Sequence, residues 1–395
     1  MRTIQLCDRY ICTGCSSCYN SCPRNAIQMK YDQEGFLNPQ IIKENCISCG
    51  LCEKACPVLS PRIITSKEPK IYAAINFNEE DRRNSASGGI FSAFARYFYN
   101  ELHGYVVAAS FDEHLILRHS ISNSIGDLLK FRGSKYVQSE IGTIYRDVKK
   151  LLLNGESVFF IGTPCQVSGL QSFLGKDYEN LFTIDLICHG VPSPVLFANY
   201  LKNIGVDTNK KYKNYLFREK ADSAYFTSTV IPKFGFKKSV SYHKHSYICA
   251  YLKSWIHRES CYNCHFSAIP RQGDCSIGDF WGILSGKIPF KYDKKHGVSM
   301  VMINSDKGEL IFNRISESLQ FEEKTLQEAL VDNHNIIEHD IRPSNRDTSY
   351  YDLLHMSSKG FMAKYQLYLP RKKTIFQRAI NKFSKIIRKV FKNNA

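Results

Sequence analysis

The chain has 395 residues, 43% of them hydrophobic and 13% aromatic, which predicts a globular protein of roughly two or three domains. No segment approaches the ~18 consecutive apolar residues of a membrane span, and the first residues lack the apolar core of a secretory signal. The formal net charge is +16, but nine basic and no acidic residues fall within Arg371–Ala395, so the charge does not indicate a nucleic-acid-binding surface on the body.

Two four-cysteine runs with identical internal spacing open the chain. The first extends from Cys12 to Pro23 and the second from Cys46 to Pro57, and both read C-x2-C-x2-C-x3-C-P. A bacterial two-cluster ferredoxin has this spacing, and the fourth cysteine of each run binds the other cluster. The pattern predicts two [4Fe-4S] clusters with crossed ligand sets: Cys12, Cys15, Cys18 and Cys56 for cluster 1, and Cys46, Cys49, Cys52 and Cys22 for cluster 2. Zinc ribbons use paired CxxC motifs with longer gaps instead.

The composition changes after the second run, which suggests the domain boundaries. Prolines at positions 57, 61 and 69 indicate a linker. We expect a ferredoxin domain over residues 1–62 and a core over residues 70–335. The core is divided into parts of about 70–150 and 151–335, and residues 336–395 are expected to form a polar linker and a basic tail.

The first part of the core contains two polar loops. A predicted strand at Ile71–Asn76 leads to Ser87-Gly88-Gly89, which precedes a predicted amphipathic helix over Ile90–Leu102. A glycine loop at a helix N-terminus can bind an anion or a phosphate, but it can equally be a plain helix cap. A second, basic loop over Lys130–Ser139 precedes another predicted helix at Ile141–Leu153.

The second part of the core has an alternating strand–helix pattern. A buried strand at Ser157–Ile161 leads to the loop containing Cys165, and another at Leu181–Ile187 leads to Cys188. The pattern predicts an α/β core with a mixed sheet. Loops at the carboxyl ends of such strands form the ligand sites, so we expect a site near these two cysteines.

Seven cysteines lie outside the two runs. Cys165, Cys188 and the pair Cys261 and Cys264 suggest a third cluster, cluster 3, for which a zinc site is the alternative. Three cysteines have no partner spacing and are expected to be structural: Cys7, Cys249 and Cys275. His189 adjoins Cys188, so it could donate a proton, although a lone histidine is more often structural.

Several motifs of the core resemble the beta-subunit family of coenzyme F-420 hydrogenase and dehydrogenase. These motifs are Gly162-Thr-Pro-Cys-Gln, Asp185-Leu-Ile-Cys-His-Gly-Val-Pro-Ser, Phe217-Arg-Glu-Lys, Cys261-x2-Cys264 and Ser276-Ile-Gly-Asp-Phe-Trp-Gly. The resemblance covers about residues 1 to 335, including the dicluster ferredoxin domain in front of the core. The family also includes bacterial members resembling products of cell-surface polysaccharide gene clusters. The chain resembles these members, which implies a role in cell-surface polysaccharide biosynthesis.

The resemblance implies an FAD-binding core with a [4Fe-4S] cluster near the flavin. It places the cluster 3 ligands at Cys165, Cys188, Cys261 and Cys264. It places the flavin contacts at Ser87, Gly88, Gly89, Gly133, Ser134, Lys135, Tyr136 and Thr163. Catalytic residues stay unassigned, with Lys135, His189 and Asp279 as candidates.

Flavins convert between one-electron clusters and two-electron hydride chemistry. We therefore expect an oxidoreductase in which the clusters exchange electrons with FAD, and the flavin exchanges hydride with an organic substrate, a sugar or a deazaflavin-type cofactor. The alternative is a non-catalytic electron-transfer subunit that docks on a partner enzyme. Either function needs a redox partner protein or a ferredoxin.

The tail over residues 371–395 carries apolar residues at helical spacing, with basic residues between them. This pattern predicts a basic amphipathic helix, which can lie on an anionic membrane surface, pack on the body or stay disordered. Because cluster thiolates need a reducing compartment during assembly, we expect a cytoplasmic protein, at the inner face of the membrane if the tail binds lipid.

Overall fold

The computed structural model describes residues 3–62, 68–220 and 227–367, and these residues form three sheets with helices around them. The strands are β1 (Ile27–Tyr31), β2 (Leu37–Ile41), β3 (Lys70–Asn76), β4 (Tyr105–Phe111), β5 (Leu117–Ser122), β6 (Val158–Gly162), β7 (Leu181–Leu186), β8 (Tyr212–Glu219), β9 (Thr227–Pro232), β10 (Lys238–Ser241), β11 (Cys275–Asp279), β12 (Ser299–Ile303) and β13 (Leu319–Lys324).

Helices of four to eleven residues connect and cover these strands. They are α1 (Ser17–Ser21), α2 (Leu51–Lys54), α3 (Glu79–Arg83), α4 (Ile90–Asn100), α5 (Leu128–Phe131), α6 (Ile144–Leu153), α7 (Pro164–Leu174), α8 (Pro194–Asn203), α9 (Ser246–Leu252), α10 (Trp281–Leu284), α11 (Asp306–Ile315), α12 (Leu326–Leu330), α13 (Arg346–His355) and α14 (Ser358–Lys364). Of the helices described here, none has the length and apolarity that crossing a membrane requires.

The main sheet has eight strands in the order β13-β3-β12-β11-β7-β6-β4-β5. Its central strands β4, β6, β7 and β11 run parallel, whereas the strands on either side pair antiparallel. The predicted mixed α/β sheet is thus confirmed. Because β6, β7 and β11 are parallel neighbours, the loops after them emerge at the same edge of the sheet.

Alternating side chains of the main sheet bury both of its faces. Phe159 packs with Phe94 and Phe98 of α4 on one face, and α11 covers the same side. The next residue, Phe160, packs with Tyr145 of α6 and with residues of α7 on the other face. Successive strand residues point to opposite faces, so a run of apolar residues is needed wherever both faces are covered.

A smaller sheet, β10-β9-β8, stands apart from the main one. Its strands pair antiparallel and pack against α8, α9, α13 and α14 around an aromatic core. Phe197, Tyr215, Phe217 and Tyr247 form the centre of this core, with ring centroids 4.6 to 6.2 Å apart. This second sheet was not predicted from the sequence.

The described part of residues 336–367 differs from the expected polar linker. Residues 346–364 form α13 and α14, and Tyr350, Leu353 and Phe361 of these helices are buried in the aromatic core. Polar residues of α13 are also buried, so its sequence does not show the usual apolar stripe. The predicted amphipathic tail lies outside the described residues.

The ferredoxin module packs on the core through buried arginines. The Arg258 side chain, 2% exposed, donates to the carbonyls of Cys12 and Leu37 and to the side chains of Asn38 and Gln138. Its guanidinium also stacks over the ring of Phe36, with 5.3 Å to the centroid. The Arg258 side chain thus joins the ferredoxin module to the core.

Two further arginines hold the same module from other sides. Arg146 of α6 donates to the carbonyls of Tyr19, Asn20 and Cys22, at 2.8 to 3.3 Å. Arg346 of α13 is fully buried and pairs with Glu34 of the module. The module is therefore fixed in place by charge-assisted hydrogen bonds.

Asp185 in β7 forms a fully buried ion pair that anchors the segment after Cys264. Its carboxylate accepts from Arg271 at 2.7 Å and from the backbone of Gln272 and Gly273 at 2.8 and 2.9 Å. We expect Asp185→Asn to lower the free energy of unfolding by about 3–5 kcal/mol, because it leaves the Arg271 charge buried without its counter-ion. Urea denaturation followed by circular dichroism measures the change.

Asp177→Asn is the matched control for this substitution. Asp177 also pairs with an arginine, Arg62 at 2.9 Å, but its side chain is 88% exposed. Exposed ion pairs contribute about 0–1 kcal/mol, so the control should unfold like the parent chain. Equal destabilisation by the two substitutions would contradict the assigned role of burial.

Candidate iron–sulfur and cofactor sites

The cysteines predicted for cluster 1 line one cavity of the ferredoxin module. The cavity is partly open to solvent and has an empty volume of about 400 Å³, and its wall includes Cys12, Cys15, Cys18 and Cys56. Cys56 comes from the second run, as the crossed ligand pattern requires. Four sulfur donors around one cavity fit the ligand set of a [4Fe-4S] cluster.

The cysteines predicted for cluster 2 line a second cavity of about 350 Å³: Cys22, Cys46, Cys49 and Cys52. Both runs use the same local backbone to turn the thiols inward. Gly14 and Ser16 have positive φ values of 67° and 65°, and Ser48 and Gly50 have 55° and 76° at the corresponding positions. The sequence repeat is therefore also a repeat of backbone conformation.

Cys7 also contributes to the wall of the cluster 1 cavity. Its thiol lies within hydrogen-bonding reach of Cys12 and Cys56, and this contact lowers the pKa of Cys12 to about 6 and the pKa of Cys56 to about 7. The spacing gave no signal for this position. Cys249 and Cys275 lie in separate hydrophobic cores, which fits the structural role predicted for them.

The cysteines predicted for cluster 3 lie together at the carboxyl edge of the main sheet. Cys165 follows β6, Cys188 follows β7, and the Cys261–Cys264 segment packs against both loops. Burial raises the pKa of Cys165 to about 11 and of Cys188 to about 12, and the proximity of the other thiols contributes to both shifts. Such a group of thiols is poorly stable as four free thiolates and fits a positively charged metal centre.

The cysteines predicted for cluster 1 and those predicted for cluster 3 are neighbours across α7. Cys165 lies in the first turn of this helix, and Gly169 lies one turn later on the same face. A Cβ at Gly169 would be 3.1 Å from the sulfur of Cys15, so the helix backbone directly contacts a cluster 1 ligand. Cys165 is also close enough to Cys15 for its charge to raise the pKa of the Cys15 thiol, together with burial, which is the larger cause.

The two loops predicted to bind flavin lie side by side. Arg132, just before Gly133, pairs with Asp81 of α3 and donates to Ser92 of α4 at 3.1 Å. Helices α3 and α4 flank the Ser87–Gly89 loop, so Arg132 joins the two loops. A side chain at Gly88 would clash with the carbonyl oxygen of Ala74, at 2.5 Å, which explains the glycine.

A basic group lies beside the Ser87–Gly89 loop. The Lys220 ammonium donates to the carbonyls of Arg82 at 2.6 Å and Ser87 at 2.8 Å, and to that of His296. Burial, followed by the charge of Arg218, lowers the pKa of Lys220 to about 7. Among the described residues, the buried Arg82 Nε and His296 Nε2 have no hydrogen-bond partner. These donors beside the α4 N-terminus fit an anionic ligand such as a flavin phosphate.

An ion pair continues from this basic group toward cluster 3. Arg218 binds Asp279 at 2.6 Å, and its guanidinium stacks over Trp281 at 5.4 Å. The hydroxyl of Tyr136 lies 3.5 Å from Arg218, and the Tyr136 ring packs on Tyr251, 4.6 Å between centroids. Tyr136 and Asp279 thus lie together between the Ser87 loop and the cysteines.

Lys135 and Thr163 have other bonds in the structure. The Lys135 ammonium donates to the carbonyls of Phe131, Arg132 and Gly133, at the end of α5, and burial lowers its pKa to about 7. Thr163 caps α7, with its hydroxyl 3.1 Å from both Cys165 Sγ and the Gln166 side chain. Both side chains therefore shape loops, and their predicted contact with a flavin stays a prediction.

His189, next to Cys188, is held by a carboxylate. Its Nε2 lies 3.0 Å from Asp340, which also accepts from His334 at 2.8 Å and from Ser254. Burial opposes ionisation of Asp340, but its hydrogen bonds and the charge of His189 hold its pKa below the usual range. Sequence reasoning missed Asp340, which lies in the segment read as a linker.

Arg218 and Lys220 were also missed as site residues. They belong to the Phe217-Arg-Glu-Lys motif, so the signal was present but its role was not assigned. Arg258 had no comparable signal, because it is an isolated arginine that belongs to none of the motifs.

Two family models match the chain. Residues 155–329 match the family that is described as the C terminus of the coenzyme F420 hydrogenase/dehydrogenase beta subunit, and residues 11–59 match the 4Fe-4S dicluster domain. The predicted resemblance is therefore confirmed over these residues. The second match supports the iron–sulfur clusters of the ferredoxin module.

Curated relatives match over short segments. An iron–sulfur subunit of the CoB–CoM heterodisulfide reductase from Methanocaldococcus jannaschii is 34% identical over 93 residues, which is 19% of this chain and 14% of that protein. The ferredoxin-type protein NapF of Haemophilus influenzae is 39% identical over 44 residues, or 11% and 25% of the two chains. This chain thus spans a quarter or less of the length of these relatives.

A solved structure with a similar chain is the F420-reducing [NiFe] hydrogenase complex from Methanosarcina barkeri. The matched chain is 18% identical, with a TM-score of 0.43, and the match covers 76% of this chain and 94% of that one.

Proposed function

Because residues 155–329 belong to the beta-subunit family of coenzyme F420 hydrogenase and dehydrogenase and residues 11–59 to the dicluster family, we propose that the chain is an iron–sulfur flavoprotein oxidoreductase. It passes electrons between its clusters and an FAD that exchanges hydride with an organic substrate or a deazaflavin-type cofactor. The proposed domains are a ferredoxin domain over residues 1–62 and a core over residues 70–335.

The contact between Cys15 and α7 carries this proposal. It joins a cluster 1 ligand to the helix that bears Cys165, so electrons need to cross only one packed interface between the ferredoxin module and the core. Cluster 3, with Cys165, Cys188, Cys261 and Cys264 as ligands, is then the relay inside the core.

Cluster 2 is proposed as the terminal that faces the redox partner. Cys49 is exposed, and the neighbouring apolar side chains of Ile47 and Leu51 are 58% and 43% exposed. Exposed apolar side chains of this kind are common where another protein docks. The order of the relay is therefore cluster 2, cluster 1, cluster 3, and it can operate in either direction.

The proposed FAD site lies between the Ser87 loop and the cluster 3 cysteines. Arg82, Lys220 and the α4 N-terminus supply positive charge for the phosphates, while Tyr136 and the Arg218–Asp279 pair lie on the path toward Cys188. When bound, FAD supplies the conversion between single electrons and hydride. The ring of Tyr136 packs on that of Tyr251 on this side of the site.

Anaerobic purification followed by iron and flavin analysis tests the proposal. We expect about twelve irons and one FAD per chain, as three [4Fe-4S] clusters and one flavin require. About eight irons and no flavin would contradict the proposal and indicate a ferredoxin fused to a core that binds no cofactor. A full complement of cofactors without turnover, in a protein that copurifies with an enzyme, would favour the electron-transfer subunit instead.

A further inference from the structure

The hairpin between β9 and β10 ends in two unusually exposed aromatic side chains. Phe234 is 84% exposed and Phe236 is 98% exposed, whereas Phe217 of the same sheet is buried. The turn between them is Gly235, with a φ of 98°. We call residues Lys233–Lys238 the hairpin tip.

The hairpin tip is strongly basic. Its sequence is Lys-Phe-Gly-Phe-Lys-Lys, and no acidic residue occurs between Lys233 and Ser241. All three lysines are exposed. One of them, Lys237, pairs with the carboxylate of Glu219 at 3.6 Å. The tip thus presents phenyl rings together with positive charge.

The two exposed rings lie on a regular β-hairpin that is fixed to the smaller sheet. β9 pairs with β8 on one side and β10 on the other, and Val230, near the end of β9, is buried in the aromatic core. The backbone N–H of Lys233 donates to Lys211 at 2.9 Å, and Lys238 donates to the carbonyl of Ile204. Both rings are therefore exposed to solvent on a hairpin that is hydrogen-bonded to the rest of the fold.

An anionic lipid surface fits this combination better than a protein groove. Phe side chains next to basic residues can bury at the boundary between lipid headgroups and acyl chains, and each lysine near an anionic leaflet adds attraction. The basic segment Arg371–Ala395 later in the chain carries charge of the same sign.

We propose that the hairpin tip docks the protein on an anionic membrane surface, with Phe234 and Phe236 entering the headgroup region and Lys233 facing lipid phosphates. This role is independent of the redox function proposed above. It gives the protein a membrane contact that does not depend on the tail.

Phe236→Trp in the full-length protein tests this contact directly. We expect vesicles of brominated phosphatidylcholine and phosphatidylglycerol to quench the fluorescence of the added tryptophan. Vesicles of brominated phosphatidylcholine alone should not quench it. Tyr351→Trp is the control, because Tyr351 is also exposed, at 63%, but belongs to α13. Its fluorescence should not change beyond that of the parent chain, which contains Trp255 and Trp281.

Vesicle flotation of Phe234→Ser/Phe236→Ser adds a measure of the binding strength. We expect the partition coefficient to fall about tenfold or more, with iron content and thermal midpoint unchanged. The proposal is overturned if the protein floats without quenching of the tip, since another segment then binds. It is also overturned if the fluorescence of the tip tryptophan changes with protein concentration and not with added lipid, which indicates contact with a second copy of the chain.

Discussion

Replacing Cys261 and Cys264 by alanine should remove about four irons per chain, because half of the proposed ligand set of cluster 3 is lost. The two ferredoxin clusters should persist, since their eight cysteines line two cavities of the ferredoxin module that do not include Cys261 or Cys264. Electrons from a chemical reductant should still reach these clusters but no longer reduce the flavin at a measurable rate. Iron analysis and stopped-flow absorbance at the flavin band measure both effects.

Cys249→Ala is the matched control for the cluster 3 variant. Cys249 is buried and is not part of any proposed ligand set. Its loss should leave the iron content and the rate of flavin reduction unchanged, although the small cavity it creates costs some stability. If the double variant kept all its iron and its turnover, cluster 3 would not exist as proposed.

The second large effect is expected from Arg258→Met, which removes the side chain that joins the module and the core. Four acceptors lose their donor: the carbonyls of Cys12 and Leu37 and the side chains of Asn38 and Gln138. Each buried acceptor left unpaired costs about 1–3 kcal/mol, so we expect a loss of about 4 kcal/mol or more in the free energy of unfolding. Denaturation of the cluster-loaded protein measures this loss.

Arg258→Met should also slow electron transfer from the ferredoxin module to the flavin, while the iron content stays near that of the parent. Arg258→Lys keeps the charge but not the planar, multidentate donor, so it should restore only part of the stability. Arg342→Met is a control, because Arg342 pairs with Glu259 but its side chain is 37% exposed. A lysine variant as stable as the parent would show that charge alone holds the module.

The grouping of the cysteines could be predicted from the sequence because their spacing is local. Three thiols within one run and a fourth from the other run are set by a pattern of about twelve residues. Cys165 and Cys188 could be brought together because each follows a buried strand, and parallel neighbouring strands end at one edge. These rules use only short stretches of chain.

Contacts between distant segments gave no such signal. Arg258 and Arg346 hold the module through bonds over 246 and 312 residues, and a lone arginine in a loop or a polar helix has no periodicity that reveals its partner. Asp340 was missed for the same reason. The polar face of α13 concealed a buried helix, because its charged groups are paired inside the fold and not in water.

The bond between Arg346 and Glu34 has a consequence for how the protein is made. A ribosome adds about 5–20 residues per second, so Arg346 follows Glu34 after roughly 15–60 seconds. During that interval the ferredoxin segment has left the ribosome, but the side chain that closes over it has not been synthesised. We therefore expect iron to be delivered to the eight cysteines of the two runs on the nascent chain, before the finished core covers the cluster 1 thiols.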